Sequence, residues 1–213
     1  ERLEYRSLAL DQQRDWIAGR IAAKDALRCA AWNAGAPSLF PIEVTLHPRR
    51  THRPPLFVES PKTPLSISHC QGVAMAALLH QRGDSRSLGV DLQSVESRPY
   101  SWRKASFHSS ELKELDGLPQ SKHKEALTLW WSLKEAAAKC ASHRGLTEGL
   151  GAPKEWLIEQ WSNAQGINLN TQLSVLSQGR AVVNHLSSSQ RFTIAWWIFD
   201  RGDQRWTCGL CVR

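Results

Sequence analysis

Apolar side chains at Trp16, Ile17, Ile21, Ala23, Leu27 and Ala31 recur at helical spacing, while Arg14, Lys24 and Arg28 fall elsewhere on the turn. This is the period of a helix with one buried face, and it predicts a helix over 11–34 with Gly35 and Pro37 as stop signals. A second helix is predicted over 122–142. There Lys134-Glu135-Ala136-Ala137-Ala138-Lys139 is almost all strong helix former, and no Gly or Pro intervenes. Residues 37–64 are rich in Pro and Arg, include Arg53-Pro54-Pro55-Leu56, and read as loop and short strand. Apolar runs over 73–79 and 88–92 flank a Gly83-Asp84 turn, which is a hairpin pattern. After a mixed stretch containing Pro153 and several glycines, apolar runs over 192–199 and 206–212 close the chain.

The closing runs resemble the earlier pair. Arg82-Gly83-Asp84-Ser85-Arg86 and Arg201-Gly202-Asp203-Gln204-Arg205 each follow an apolar strand and precede another. This weak internal repeat implies an α+β protein of two similar halves. Turn chemistry accounts for the Arg-Gly-Asp triplets better than an adhesion motif does.

Composition narrows the class. The chain has 213 residues, 41% hydrophobic and 22% charged, which is globular, and its ten tryptophans are expected in cores and internal interfaces. A net charge of +7 points to an anionic partner, yet the basic residues form no arm or stripe of the kind nucleic acid selects. A polyphosphate ligand or an acidic protein fits the charge as well. Cys29, Cys70, Cys140, Cys208 and Cys211 are odd in number without a framework spacing, so they are read as reduced thiols of a cytoplasmic protein. No signal peptide or membrane-spanning stretch is read, and the chain opens at Glu1, so it is a processed product, a trimmed chain or a piece of a longer polypeptide.

Several residues can carry chemistry, though each has an ordinary reading. Asp91, in Gly89-Val90-Asp91-Leu92-Gln93, is read as ending a strand, where alternation can turn it to a cleft while Val90 and Leu92 stay in the core; a lone strand-end Asp is more commonly a turn former or surface charge. Glu135 and Lys139 share a helix face, with Trp131 one turn before. They are either an exposed ion pair or a carboxylate for a metal beside an ammonium for a phosphate, with three alanines leaving room for close approach. Ser68-His69 lies where a strand begins and can bond a phosphate, against the usual structural histidine. Phe107 and Glu111 are four apart at a short helix that Ser109 or Ser110 would cap. Cys208 and Cys211 have the Cys-x-x-Cys spacing without a second pair, and read as two small apolar residues of a terminal strand.

Their order is more specific than any one of them. Ser-x-Ser-His, Gly-Val-Asp-Leu-x, Phe-x-x-x-Glu and Trp-x-x-Lys-Glu-Ala-x-x-Lys, over 66–139, resemble the Sfp-type 4′-phosphopantetheinyl transferase superfamily. Trp16 to Lys24 resembles the first helix of bacterial members, Arg53-Pro54-Pro55-Leu56 the basic-Pro segment, and Gly145-Leu146 the Gly-Leu after the long helix.

The resemblance implies a pseudo-twofold α+β fold with antiparallel sheets and the active site between the halves. Residues 1–95 would form the coenzyme A nucleotide side and 96–213 the metal side. It implies transfer of phosphopantetheine from coenzyme A to a serine of an apo acyl, polyketide or peptidyl carrier protein, with Mg²⁺, by a monomer that needs neither nucleic acid nor membrane. Asp91 and Glu135 would hold Mg²⁺, with Gln93 in the place of a common second acid. Glu135, or else Glu111, would take the serine proton, and Lys139 would bind the pyrophosphate. Ser68 and His69 would contact the 3′-phosphate, Arg53 and Pro54 would border the adenine, and Arg20 and Lys24 would support the cleft. His52 replaces the Gly before the basic-Pro segment, and the upstream basic residues of some members have no match near Glu1. The competing expectations are a homologue that binds coenzyme A or carrier without transfer, which Gln93 favours, and a basic nucleic-acid-binding module.

Overall fold

The computed structural model describes residues 1–46, 64–79, 86–142, 146, 153–163 and 174–213. Arg53, Pro54, Gly145 and the first Arg-Gly-Asp turn lie outside the described residues. A short helix α1 (Arg2–Ser7) leads into α2 (Leu10–Asn33), which the chain leaves through Gly35 in the left-handed region at φ 81°. The predicted first helix is therefore present almost end to end. Its Ala23 and Leu27 are buried with Val44, Leu46 and Leu65, and Ile67, Ala76 and Leu78 pack beside them.

The N-terminal strands are β1 (Leu65–Cys70) and β2 (Val73–Leu78), antiparallel from Leu65↔Leu78 to Cys70↔Val73. Gln71 and Gly72 join them, both with positive φ (48° and 75°), which is the two-residue turn whose twist suits a hairpin. The hairpin expected between the runs 73–79 and 88–92 is thus corrected. β2 pairs with β1, while β3 (Leu88–Ser94) joins a second sheet. Ser66-Ile67-Ser68-His69, read as the approach to a strand, is the strand itself. Its polar alternate positions hid it, because buried Ser66 and Ser68 face a neighbouring backbone and not an apolar core.

The second sheet has the order β3-β7-β6-β5-β4, with β4 (Trp156–Asn163), β5 (Ser174–His185), β6 (Gln190–Arg201) and β7 (Gln204–Val212). Every pairing in it is antiparallel. The predicted closing runs are β6 and β7, joined at Gly202-Asp203 with Gly202 at φ 59°. β4 and β5 arise from the stretch that showed no clear period. Cys208 and Cys211, three apart, fall in different clusters, Cys208 with Leu92, Phe199 and Trp206, and Cys211 in the main core.

β3 is an edge of this sheet, and β1 covers it without a main-chain ladder. Ser66 Oγ accepts from the Val90 N–H at 3.0 Å and Ser68 Oγ from the Leu92 N–H at 3.1 Å. Both serines advance by two as their partners do, so β1 and β3 run parallel and serine hydroxyls satisfy the exposed edge.

After β3 the chain forms α3 (Tyr100–Ser106), α4 (Ser109–Asp116) and α5 (Gln120–Ser142). α5 is the long helix expected, and Ala136, Ala137 and Ala138 are fully buried along it. A Cβ added to Gly89 of β3 would lie 2.0 Å from the Ala136 carbonyl oxygen, and one added to Gly209 of β7 would lie 3.2 Å from that of Ser132. The close approach anticipated at the alanines is made by the sheet, which presses its own backbone against the helix. No helix among the described residues is long and apolar enough to cross a membrane.

Candidate active site

Gly89 faces α5, and strand alternation turns Asp91 and Gln93 the same way, while Leu92 packs on the opposite side with Cys70, Val73 and Met75. Asp91 is the fourth of seven strand residues, inside β3 and not at its end, opposite Gly209 on β7. The bare backbone at Gly89 and Gly209 brings this part of the sheet close against α5.

The Asp91 carboxylate is buried and its partners converge on it. Lys139 Nζ lies 2.7 Å from Oδ1 and 3.1 Å from the Val90 carbonyl oxygen. Ser68 Oγ donates to the same Oδ1 at 2.9 Å, and Gln93 Nε2 donates to Oδ2 at 3.0 Å. Charge stored here is felt by the next strand: burial, and then the Asp91 charge, push the Cys208 thiol up to about 12. Cys208 therefore stays protonated at neutral pH.

Glu135 stands one turn before Lys139 on α5, with Cβ atoms about 6 Å apart by helix geometry. It is buried, and its Oε1 accepts from the Leu146 N–H at 3.1 Å. The segment after α5 is thus tied back to the carboxylate. Asp91 and Lys139 are thus paired where strand and helix meet, with Glu135 one turn away on the same helix.

The other predicted residues divide. Ser68 belongs to this cluster, but His69, the next residue, points to the other side of β1. Its ring rests where Gly19 of α2 has no side chain, 3.1 Å from a would-be Cβ, with Nδ1 3.7 Å from Asp15 Oδ2. Gln93 presents its amide nitrogen to Asp91, so its role in the network is that of a donor. Arg20 and Lys24 meet α1: Arg20 Nη2 bonds Glu4 Oε2 at 2.8 Å and stacks on Trp16, and Lys24 Nζ bonds Glu1 Oε2 at 3.0 Å.

Glu111 lies in a different network. Its Oε2 accepts from Lys134 Nζ at 2.6 Å and from the His108 N–H at 2.8 Å, and its Oε1 accepts from the Ile158 N–H at 3.0 Å. His108, and not Ser109 or Ser110, caps α4, its Nδ1 accepting from the Ser110 N–H while Glu111 completes the capping box. Burial pulls the Lys134 ammonium below the ordinary lysine value, and the Glu111 carboxylate opposes this. Lys134 was not singled out from the sequence. The signal was its place in the stripe Leu127, Trp130, Trp131, Ala138, since a charge in an apolar stripe needs a buried partner.

Among the described residues no three His, Cys, Asp or Glu stand together as a metal cage. Two carboxylates suit a hard divalent cation that completes its shell with phosphate oxygens and water, and Asp91 already accommodates a cationic group at contact distance. In donor chemistry these two carboxylates therefore suit such a cation.

Comparison with known proteins gives the family. The chain is 30% identical over 149 residues to enterobactin synthase component D of Salmonella austin, a span covering 70% of this chain. The match takes in 56% of that relative, so the chain spans little more than half its length. A family model described as the 4′-phosphopantetheinyl transferase superfamily matches residues 87–196, slightly over half of the chain and the segment that carries Asp91, Glu111, Glu135 and Lys139. The chain belongs to the 4′-phosphopantetheinyl transferase superfamily.

Proposed function

We propose that this protein transfers the 4′-phosphopantetheine arm of coenzyme A to the serine hydroxyl of an apo carrier protein, releasing adenosine 3′,5′-bisphosphate. The observation that carries the reading is the pairing of Asp91 with Lys139, one helical turn from Glu135, at the meeting of β3 and α5. An ammonium beside two buried carboxylates can meet a pyrophosphate and a proton donor together.

Glu135, held by the Leu146 N–H, takes the serine proton. The serine oxygen then bonds to the phosphorus that bears pantetheine, and the bridging P–O bond breaks with its electron pair leaving on the adenosine bisphosphate. Lys139 balances charge on the pyrophosphate and on the leaving phosphate. Asp91 and Glu135 would hold Mg²⁺, which when bound neutralises phosphate charge during such transfers. Ser68 and Gln93 fix the Asp91 carboxylate by hydrogen bonds from either side. His69, half exposed on the far side of β1, is the residue proposed for the 3′-phosphate, with Arg53 and Pro54 beside the adenine. Glu111 is assigned to the frame, because both of its oxygens are engaged there.

The proposed division into 1–95 and 96–213 finds support in the site's composition, since Asp91 comes from the first part and Glu135 and Lys139 from the second. A charge of +7 favours encounter with acidic carriers of the acyl, polyketide or peptidyl kind, and a cytoplasmic monomer is the proposed working form. Incubation with coenzyme A, Mg²⁺ and an apo acyl carrier protein should add one phosphopantetheine to the carrier's intact mass, and EDTA should prevent it. No gain across several carriers, with coenzyme A still bound, would favour the non-catalytic homologue.

A further inference from the structure

We propose that in the free protein Lys139 occupies, on the Asp91 carboxylate, the position that a divalent cation takes during transfer, so that the metal enters with the coenzyme A pyrophosphate and not before it. This rests on the transfer reading above and goes beyond it, assigning an order of binding to the site.

The Asp91 carboxylate is already engaged by donors on both oxygens. Asp91 is 3% exposed, and its Oδ1 already receives the Lys139 ammonium and the Ser68 hydroxyl, while Oδ2 receives Gln93. Mg²⁺ binds a carboxylate oxygen at about 2.0–2.1 Å, and an ammonium 2.7 Å from that oxygen would stand against it as a second positive charge. That repulsion, in a buried site, favours one of the two at a time.

Lys139 is the mobile partner. Its head is 17% exposed on a four-carbon stem, whereas Asp91 is fixed inside β3 between the Ser66 and Ser68 bridges. Displaced by metal alone, the ammonium would give up Asp91 to a cation that also claims Glu135, the other carboxylate nearby. Displaced by metal with pyrophosphate, it moves from one anion to another. Coenzyme A therefore lowers the barrier to metal binding by giving the lysine somewhere to go, and by linkage the metal tightens coenzyme A by the same factor.

The test measures free Mn²⁺ by electron paramagnetic resonance as it is titrated into the whole protein, with and without coenzyme A. Wild type should bind Mn²⁺ weakly alone and about 10-fold or more tighter with coenzyme A, within the usual range of coupled sites. Lys139→Met, which keeps the apolar stem, and Lys139→Gln, which keeps an amide donor, should each bind Mn²⁺ alone about 10-fold tighter than wild type. Their gain should persist in 1 M salt, where screening confines charge effects to about 3 Å. Equal Mn²⁺ affinity for wild type and both variants without coenzyme A would overturn the inference while leaving the transfer reading intact. No Mn²⁺ binding by wild type even with coenzyme A would instead remove the metal site on which both readings stand. Circular dichroism melts confirm that each variant is folded before it is titrated.

Discussion

Helix α5 carries two lysine–carboxylate pairs five residues apart, and they differ in one respect. Lys134 and Glu111 are 0% and 2% exposed, and every oxygen and proton of the pair is bonded into α3, α4, β4 or the segment at Pro153. Lys139 and Asp91 are 17% and 3% exposed, and the lysine reaches its partner from the protein's outer side. Five residues on a helix turn the side chain by more than a third of a revolution from the first, so one pair is sealed among α3, α4 and β4 while the other meets β3 and stays partly exposed. Closure makes the first a fastener. The partial opening of the second leaves a charge that can exchange partners, which a polyphosphate reaction needs.

The comparison is broken most sharply at Glu135, the open side's second carboxylate. Glu135→Gln should lower single-turnover transfer to an apo carrier by about 10²–10⁴-fold, with a thermal melt close to wild type. Wild-type turnover in that variant would place the base elsewhere. On the closed side the loss should appear as stability. Glu111→Ala strands the Lys134 ammonium and should cost about 3–5 kcal/mol in urea unfolding. A variant that instead kept its midpoint and lost transfer would move Glu111 into the chemistry. Replacing both partners, Glu111→Leu with Lys134→Met, should restore at least half of that loss, because no unpaired charge remains buried.

Protonation offers a smaller test of the same contrast. Burial lowers the proton affinity of Lys134 in the folded state, so the unfolded chain binds that proton more readily. Lys134 should then favour folding increasingly as pH climbs towards the ordinary lysine value, and it should disfavour folding below that window. Urea midpoints of wild type and Lys134→Met across the alkaline range should diverge in that direction. The smallest effect belongs to the half-buried cluster beside the β6–β7 turn, where Arg205 bonds Asp200 and Glu125. Arg205→Gln should move stability by less than about 1 kcal/mol, and a larger loss would show that surface pairs here are more than local.

Much of the frame was legible from local pattern. Helices α2 and α5 and strands β6 and β7 were readable because each repeats its apolar residues with the period of its own geometry. Strand β1 was not, since serines fill its buried positions, and no propensity reveals a serine that satisfies a neighbouring strand. The β2–β3 hairpin failed for a related reason: two apolar runs with a Gly-Asp turn look alike whether they pair with each other or with strands far off in the chain. Of the site, the motif order singled out Asp91, Glu135 and Lys139, and the structure brings Asp91 to Lys139. It could not separate Ser68 from His69, which strand alternation sends to opposite sides, nor Glu111, which pairs with Lys134, from Asp91 and Glu135.

By itself the sequence determined the α+β class, the two long helices, the closing hairpin and the ordered set of reactive residues. Those depend on neighbours within a turn or a strand, where the chain's own chemistry is enough. Only the tertiary structure decided that β3 pairs with β7, that Gly89 and Gly209 admit α5 onto the sheet, and that Lys134 is sealed while Lys139 is reachable. Burial and partnership arise between segments far apart in sequence. It is those contacts, and not residue type, that settle whether a buried charge holds the fold or does chemistry.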